Sequence, residues 1–144
     1  MMTGTFVDKW HALLQSRNLA GLDDLLADDV VFHSPILHTP QRGKEITKFY
    51  LSAAFHVLFD AHFQYVREVV AADNAVLEFT AEIDGIHVNG VDMMHCNTNG
   101  RIDDFKVMIR PLKAVNLLHA QMRAMLEQMQ SKESGVGSGR TRRS

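Results

Sequence analysis

The 144-residue chain is predicted to fold as an α+β domain, with N-terminal helices packed on one face of a curved antiparallel sheet and an amphipathic helix at the C-terminus. In the first part of the chain apolar residues follow a helical spacing, whereas after residue 62 they alternate with a period of two, as in strands. Two hairpin signals, Asp84-Gly85 and Asn99-Gly100, divide this second part into successive antiparallel strands. Helices followed by such a meander are typical of the α+β class.

Three helices are expected before the meander and one after it. Thr5 and Asp8, three positions apart, resemble a capping box at the start of the first helix. The last helix carries apolar residues at i, i+3 and i+4 spacing, which predicts one buried face. A strand-like run lies between the second and third helices and stops near Pro35. The expected helices cover residues 6–17, 20–27, 43–59 and 113–130, and the expected strands cover residues 30–37, 62–71, 75–83, 91–97 and 101–111.

Charge and composition restrict the possible partners. The formal charge is −2, but residues 131–144 hold four basic residues against one acidic residue, so the rest of the chain is acidic. An acidic body argues against nucleic acid as the main partner. No apolar run is long enough to cross a membrane, and no secretory signal is visible. We therefore expect one domain over residues 1–130, a flexible basic tail over residues 131–144, and, with Cys96 as the single cysteine, a reducing cytoplasmic location.

Hairpin geometry places one carboxylate on the apolar face of the sheet. A two-residue turn at Asp84-Gly85 pairs Leu77 with Asp92, and a two-residue turn at Asn99-Gly100 pairs Asp92 with Val107. Opposed residues share a face, so Asp92 is expected among apolar neighbours. A bulge at Asn89-Gly90 is the alternative, and it would shift this register by one residue. The predicted apolar neighbours are Leu77, Phe79, Phe105, Val107 and Ile109.

A carboxylate on an apolar concave face is costly while it is charged, so we expect the pKa of Asp92 to be raised unless a hydrogen-bond donor partners it. Such a group suits a general acid, a general base or a donor to an oxyanion. The structural alternative is an aspartate that is bound to nearby backbone or to a buried hydroxyl group.

Three segments, ADDVVFHSP, TPQRGKEITKFY and GVDMMHCNTNGRIDDFKV, resemble the nuclear-transport-factor-2-like α+β barrels. The likeness covers roughly residues 6–112 and is greatest to the SnoaL-like polyketide cyclases and the ketosteroid isomerases. It implies a cone-shaped α+β barrel, a conical apolar pocket for a small hydrophobic molecule, and a homodimer through the outer sheet face. The mixed composition of that face, where Met93 and Met108 lie among charged residues, also favours a homodimer.

The resemblance also implies roles for individual residues. Asp92 lies where isomerases keep a protonated aspartate that donates to the developing oxyanion. Ser34 replaces their general-base aspartate, Trp10 aligns with their first-helix tyrosine, and Tyr50 matches another pocket tyrosine. The cyclases are similar in placing an acidic residue in the pocket, so Asp92 alone suits cyclase chemistry better than isomerase chemistry.

His33 is the second candidate acid or base, although strand alternation points it away from the pocket. The eight histidines lack metal-ligand spacing, and no glycine-rich phosphate loop appears, so neither a metal nor a cofactor is expected.

Three functions stay open: an enzyme of the cyclase, isomerase, hydrolase or lyase type using Asp92, a non-catalytic binder of a hydrophobic ligand, and a dimeric interaction module with a vestigial, filled pocket.

Overall fold

The computed structural model describes residues 5–58 and 62–134 and has the predicted α+β architecture. The helices are α1 (Phe6–Ser16), α2 (Leu22–Leu25), α3 (Lys44–Leu58) and α4 (Leu112–Ser134), with a 3-10 turn at Leu19–Gly21 before α2. The strands are β1 (Leu26–His33), β2 (Gln41–Arg42), β3 (Gln64–Val70), β4 (Asn74–Ile83), β5 (Ile86–Cys96) and β6 (Ile102–Arg110). No helix within these ranges is long and apolar enough to cross a membrane.

The capping box predicted at the start of α1 is confirmed. The Thr5 hydroxyl accepts from the backbone N–H of Asp8 at 3.3 Å, and the Asp8 carboxylate accepts from the backbone N–H of Thr5 at 3.3 Å. These two bonds satisfy N–H groups that a helix start otherwise leaves without partners. The buried face of α1 then carries Trp10, which is 1% exposed, into the core.

The six strands form one curved, open sheet in the order β2-β1-β6-β5-β4-β3. Strands β3 to β6 are the predicted antiparallel meander, but β1 runs parallel to β6. The predicted antiparallel sheet is confirmed except at this β1–β6 pair, and the sheet is open, with β2 and β3 at its two edges. The parallel pair joins segments about 70 residues apart, a distance at which hairpin signals carry no information.

The first hairpin has the predicted geometry. Asp84 and Gly85 have φ values of 52° and 77°, as a two-residue turn with both central residues left-handed requires. The register then continues without interruption from Ile83 opposite Ile86 to Leu77 opposite Asp92. The alternative of a bulge at Asn89-Gly90 is excluded, since both residues pair regularly with β4 and β6.

The second hairpin reaches the predicted register by a different route. Its loop is longer than two residues: the Asn97 backbone N–H donates to the Arg101 carbonyl oxygen at 2.8 Å, the Arg101 N–H donates to the Asn97 side-chain Oδ1 at 3.1 Å, and Cys96 pairs with Ile102. A register shift between His95 and Cys96 then restores the expected pairing along the rest of the strand. The prediction of a two-residue turn is wrong, but the prediction that Asp92 lies opposite Val107 is confirmed.

Element bounds differ from the sequence expectations where long-range contacts decide them. The second helix is shorter than predicted, because β1 begins at Leu26, which is fully buried opposite Ile102 of β6. Strand β2 was not expected, and it forms by pairing with β1. Helix α4 continues through Ser134, past the predicted domain boundary at residue 130. Residues 135–144 of the predicted tail lie outside the described residues.

Helix α4 is part of the core. Ala114 and Leu118 are 0% and 3% exposed, and they pack in a cluster with Phe79 and Val88 from the sheet. The predicted amphipathic character of this helix is thus realised by burial against β4 and β5 and against α3. The N-terminal helices and the inner face of the sheet form the main cluster beside it. The two clusters enclose the space in which the candidate site lies.

Candidate active site

A cavity of about 170 Å³ lies between the inner face of the sheet and helices α1, α3 and α4. Almost all of its walls are aromatic or aliphatic, which is typical of sites for small apolar molecules. The lining residues are Trp10, Leu14, Phe32, Ser34, Pro35, Ile36, Leu37, Tyr50, Leu51, Ala54, Phe55, Leu58, Phe63, Tyr65, Phe79, Asp92, Phe105, Val107, Ile109, Leu118, Met122 and Leu126.

Asp92 lies in the wall of this cavity, as the two hairpin registers predict. Its side chain is buried, with 7% of the residue exposed, between Leu77 on β4 and Val107 on β6. Burial raises the pKa of this carboxyl group from 3.8 to about 7, because the charged form loses solvation. A hydrogen bond from Tyr65 opposes part of this rise. Asp92 can therefore be either charged or neutral near neutral pH.

Tyr65 is the partner of Asp92, and the sequence analysis did not identify it. Its hydroxyl donates to Asp92 Oδ2 at 2.5 Å and accepts from the Trp10 indole N–H at 2.9 Å. Burial, and then the neighbouring Asp92 charge, hold the pKa of Tyr65 well above its usual range. Trp10, Tyr65 and Asp92 thus form one chain of hydrogen bonds from α1 across β3 to β5.

The strand pattern gives only a weak indication that Tyr65 lies on the same face of the sheet as Asp92. Tyr65 pairs with Phe79 and so shares its face, yet a register shift follows at once between Tyr65 and Arg67. The connection between β3 and β4 is tight, because the Ala71 N–H donates to the Asn74 carbonyl oxygen at 2.8 Å, but its Ala72-Asp73 pair lacks the glycine that marks the other hairpins. Without a turn signal the register of this edge strand cannot be read from the sequence.

The other polar residues expected at the pocket, Ser34 and Tyr50, also line it. The Ser34 hydroxyl accepts from the backbone N–H groups of Ile36 at 3.2 Å and Leu37 at 2.9 Å, so it holds the turn after β1. The Tyr50 ring stacks on Phe32 at a centroid separation of 5.8 Å. Ser34 therefore has a structural role in shaping the rim of the cavity, in addition to presenting a hydroxyl group there.

Of the five predicted wall residues, Phe79, Phe105, Val107 and Ile109 line the cavity. Leu77 does not: it shares the inner face with Asp92, but it is fully buried in the core cluster beneath the cavity. Phe79 lies over Gly90, where an added Cβ would be 2.5 Å from its ring. The absence of a side chain at Gly90 thus lets the Phe79 ring lie flat against β5.

His33 lies outside the cavity lining. Alternation along β1 directs it to the outer face of the sheet, where its Nε2 lies 3.0 Å from the Asp104 carboxylate. No twist at the end of β1 turns its side chain back towards Asp92. Cys96 is buried in the core, and burial raises the pKa of its thiol, which is the opposite of what a catalytic thiol needs.

Comparison with known proteins identifies the family of the chain and supports its fold. The family profile of the SnoaL-like domain matches residues 7–105, which include Trp10, Tyr65 and Asp92. No curated protein matches the chain. Among solved structures, a steroid delta-isomerase from Pseudomonas aeruginosa is 33% identical, with a TM-score of 0.83 over 88% of this chain and 92% of that protein.

Two further structures extend the likeness. An uncharacterised bacterial protein with a cystatin-like fold, from Silicibacter pomeroyi, is 27% identical, with a TM-score of 0.76 over 83% of each chain. A SnoaL-like protein of unknown function from Burkholderia thailandensis is 18% identical, with a TM-score of 0.59 over 74% of this chain and 92% of that protein, and it shows a shared fold. By its profile match and its identity to the isomerase structure, this chain belongs to the SnoaL-like, ketosteroid-isomerase-like family.

Proposed function

We propose that the protein is an acid/base enzyme, of the cyclase, isomerase, hydrolase or lyase type, that acts on a small and largely apolar molecule. The observation that carries this proposal is the buried Asp92, hydrogen-bonded to Tyr65 in the wall of an open apolar cavity. An acid/base group works best when its pKa is close to the working pH, and burial brings Asp92 to about 7.

The hydrogen bond from Tyr65 orients the proposed catalytic group. It occupies Oδ2 of Asp92, so Oδ1 is the oxygen that can exchange a proton with a ligand. As a base, the ionised carboxylate takes a proton from the ligand and becomes neutral, a change that its apolar surroundings favour. As an acid, the neutral carboxyl group of Asp92 then returns that proton to a second position on the ligand. The Trp10 N–H holds the Tyr65 oxygen in place throughout.

A cavity whose described lining holds one carboxylate agrees better with single-acid chemistry than with the usual steroid isomerisation, which uses one aspartate as the base and a second, neutral aspartate as the donor to the oxyanion. The position of the isomerase general base holds Ser34 in this chain, and its hydroxyl is engaged by two backbone N–H groups. A serine in that environment is a poor base. This supports a cyclase-type or related proton transfer, with Asp92 as the catalytic residue and Ser34, Tyr50 and Trp10 as binding residues.

Hydrogen–deuterium exchange at carbon tests the proposal without knowledge of the natural substrate. Small cyclic ketones are incubated with the protein in D₂O, and loss of the α-proton signal is followed by NMR. Wild-type protein should accelerate exchange with an apparent pKa of about 7, with the faster rate above it. Asp92→Asn should slow exchange roughly 100-fold, because it keeps the shape and removes the base.

His33→Gln is the matched control, since His33 lies outside the cavity and exchange should stay at the wild-type rate. Unchanged exchange in Asp92→Asn, with loss in His33→Gln, would transfer the chemistry to the histidine. Tyr65→Phe should slow exchange less than Asp92→Asn does, because it leaves the carboxylate in place but orients it less well. This ordering separates the catalytic residue from the positioning residue.

A second function, non-catalytic binding of a hydrophobic ligand, is favoured by the nearly complete apolar lining of the cavity. It uses the same pocket, with Asp92 only orienting the ligand. Ketones that bind but show no catalysed exchange would support it. A vestigial pocket in an interaction module is less well supported, because the cavity is not filled by side chains.

We also propose that two copies associate through the outer face of the sheet. Val69 and Met108 are 62% and 50% exposed on that face, and Val76, Val91 and Met93 are half-buried beside them. Such a partly apolar patch on a sheet is typical of an interface.

A cytoplasmic location is proposed because the single cysteine is a buried free thiol.

A further inference from the structure

Among the described residues, the cavity wall combines one carboxylate with many aromatic rings. Eight of the 22 described lining residues are aromatic, and Asp92 is the single carboxylate in that set. Within residues 5–58 and 62–134, no lysine, arginine or histidine lines the cavity. When Asp92 is ionised, the Tyr65 hydroxyl stabilises it, but no positive charge of the described chain balances it.

A bound cation would supply the missing charge. Buried ions are tolerated when they are paired, and the faces of aromatic rings attract positive charge through their quadrupole. From the lone carboxylate and the aromatic walls, we infer that the ligand of this pocket is a small lipophilic monocation, a tertiary or quaternary ammonium with apolar substituents. This inference rests on the proposed small-molecule pocket and names the class of its ligand. While Asp92 is ionised, an anion would add a second buried negative charge, so anions are not in the class.

The size of the cavity limits the ligand. At about 170 Å³ it is close to the roughly 150 Å³ cavity that holds one benzene ring in an engineered core. One ring bearing a small alkylammonium group is therefore the appropriate scale. Helix α4 supplies the aliphatic side chains of Leu118, Met122 and Leu126 as apolar surface for the substituents.

Affinity for such a cation should depend on pH through Asp92. Only the ionised carboxylate attracts the ligand, so affinity should rise about tenfold per pH unit from about pH 5 to pH 7 and then level off. The other titratable groups on this side are Tyr50 and Tyr65 in the lining, and the His11–Glu68 pair, whose histidine ring lies 5.5 Å from the Tyr65 ring. His11→Gln serves to separate any contribution of this pair from that of Asp92.

Titration calorimetry with three probes of one shape tests the inference. Benzyltrimethylammonium carries the charge, neopentylbenzene replaces the nitrogen by carbon, and phenylmethanesulfonate reverses the charge. At about pH 8, where Asp92 is ionised, the ammonium should bind and the sulfonate should not. Asp92→Asn should weaken ammonium binding at least about tenfold and leave neopentylbenzene unchanged within about twofold. Glu82→Gln, which removes a carboxylate from the outer face, should change neither.

Each alternative result has a distinct meaning. Binding of neopentylbenzene without binding of the ammonium would overturn the inference and leave the proposed function standing. Ammonium binding that is equally tight in Asp92→Asn would also overturn it, because the carboxylate would then not hold the cation. Failure of all three probes with folded wild-type protein would count against the small-molecule pocket itself, and so against the proposed function. Retention of the pH dependence in His11→Gln, together with its loss in Asp92→Asn, would support the inference.

Discussion

The Tyr65 hydroxyl donates a 2.5 Å hydrogen bond to Asp92 Oδ2, and this contact joins an edge strand to the central part of the sheet. Tyr65 also accepts from Trp10, so residues from three separate elements fix the position of one carboxylate. The contact explains how an acid can stay buried in an apolar wall: one oxygen is satisfied, and the pKa rises only to about 7.

The raised pKa of Asp92 should make the protein less stable as the pH rises. The folded form keeps the proton up to about pH 7, whereas the unfolded chain releases it near 3.8, so the folded form holds more protons between these values. The free energy of unfolding of wild type, minus that of Asp92→Asn, should therefore fall across this range by on the order of 4 kcal/mol. Urea denaturation at several pH values measures it. Asp24→Asn, at an exposed carboxylate, is the control, and it should change the free energy of unfolding by no more than about 0.5 kcal/mol.

Gly90→Ala should destabilise the fold by about 1–3 kcal/mol. The new Cβ would lie 2.5 Å from the Phe79 ring and 2.7 Å from the backbone oxygen of Met108, and the second of these atoms cannot move away cheaply. Gly21→Ala is the matched control, because its Cβ meets only the flexible end of Leu13 at 3.1 Å and its backbone is already helical. Equal midpoints for the two variants in thermal denaturation would mean that β5 can shift away from Phe79.

Leu118→Ala should cost about 2–4 kcal/mol and enlarge the cavity, because Leu118 is 3% exposed and belongs to both the second core cluster and the pocket wall. Leu112→Ala, in the same helix but 73% exposed, should stay within about 0.5 kcal/mol of wild type. Urea denaturation compares the two. Similar, small effects would show that α4 is not an integral wall of the pocket.

Met108→Lys should convert a dimer to a monomer. Met108 is half-exposed in the middle of the apolar patch on the outer sheet face, and a charge there would be buried if two copies pack face to face. Light scattering at micromolar concentration should give twice the 16.2 kDa chain mass for wild type and the single mass for the variant. Leu112→Lys, on the exposed start of α4, should remain dimeric. A wild-type mass of one chain would contradict the proposed dimer.

The sequence by itself determined the position of Asp92. A two-residue turn at Asp84-Gly85 specifies every opposed pair along β4 and β5, since the side-chain period of a strand is two. The second turn was predicted with the wrong loop length, yet the register came out right because the shift between His95 and Cys96 cancels the extra loop residue. The residue types at the turns therefore determined which face of the sheet Asp92 lies on, but they did not determine the length of the second loop.

Only the tertiary structure decided what surrounds Asp92. The parallel pairing of β1 with β6 and the packing of α4 over the pocket join segments that no tight turn connects. The register of β3 shifts after Tyr65, and no turn signal in the sequence marks that shift. Such contacts depend on which buried surfaces fit together across the whole chain, whereas turn signals act over a few residues. For this reason the sequence identified the acid, and the fold was needed to identify its hydrogen-bond donor Tyr65.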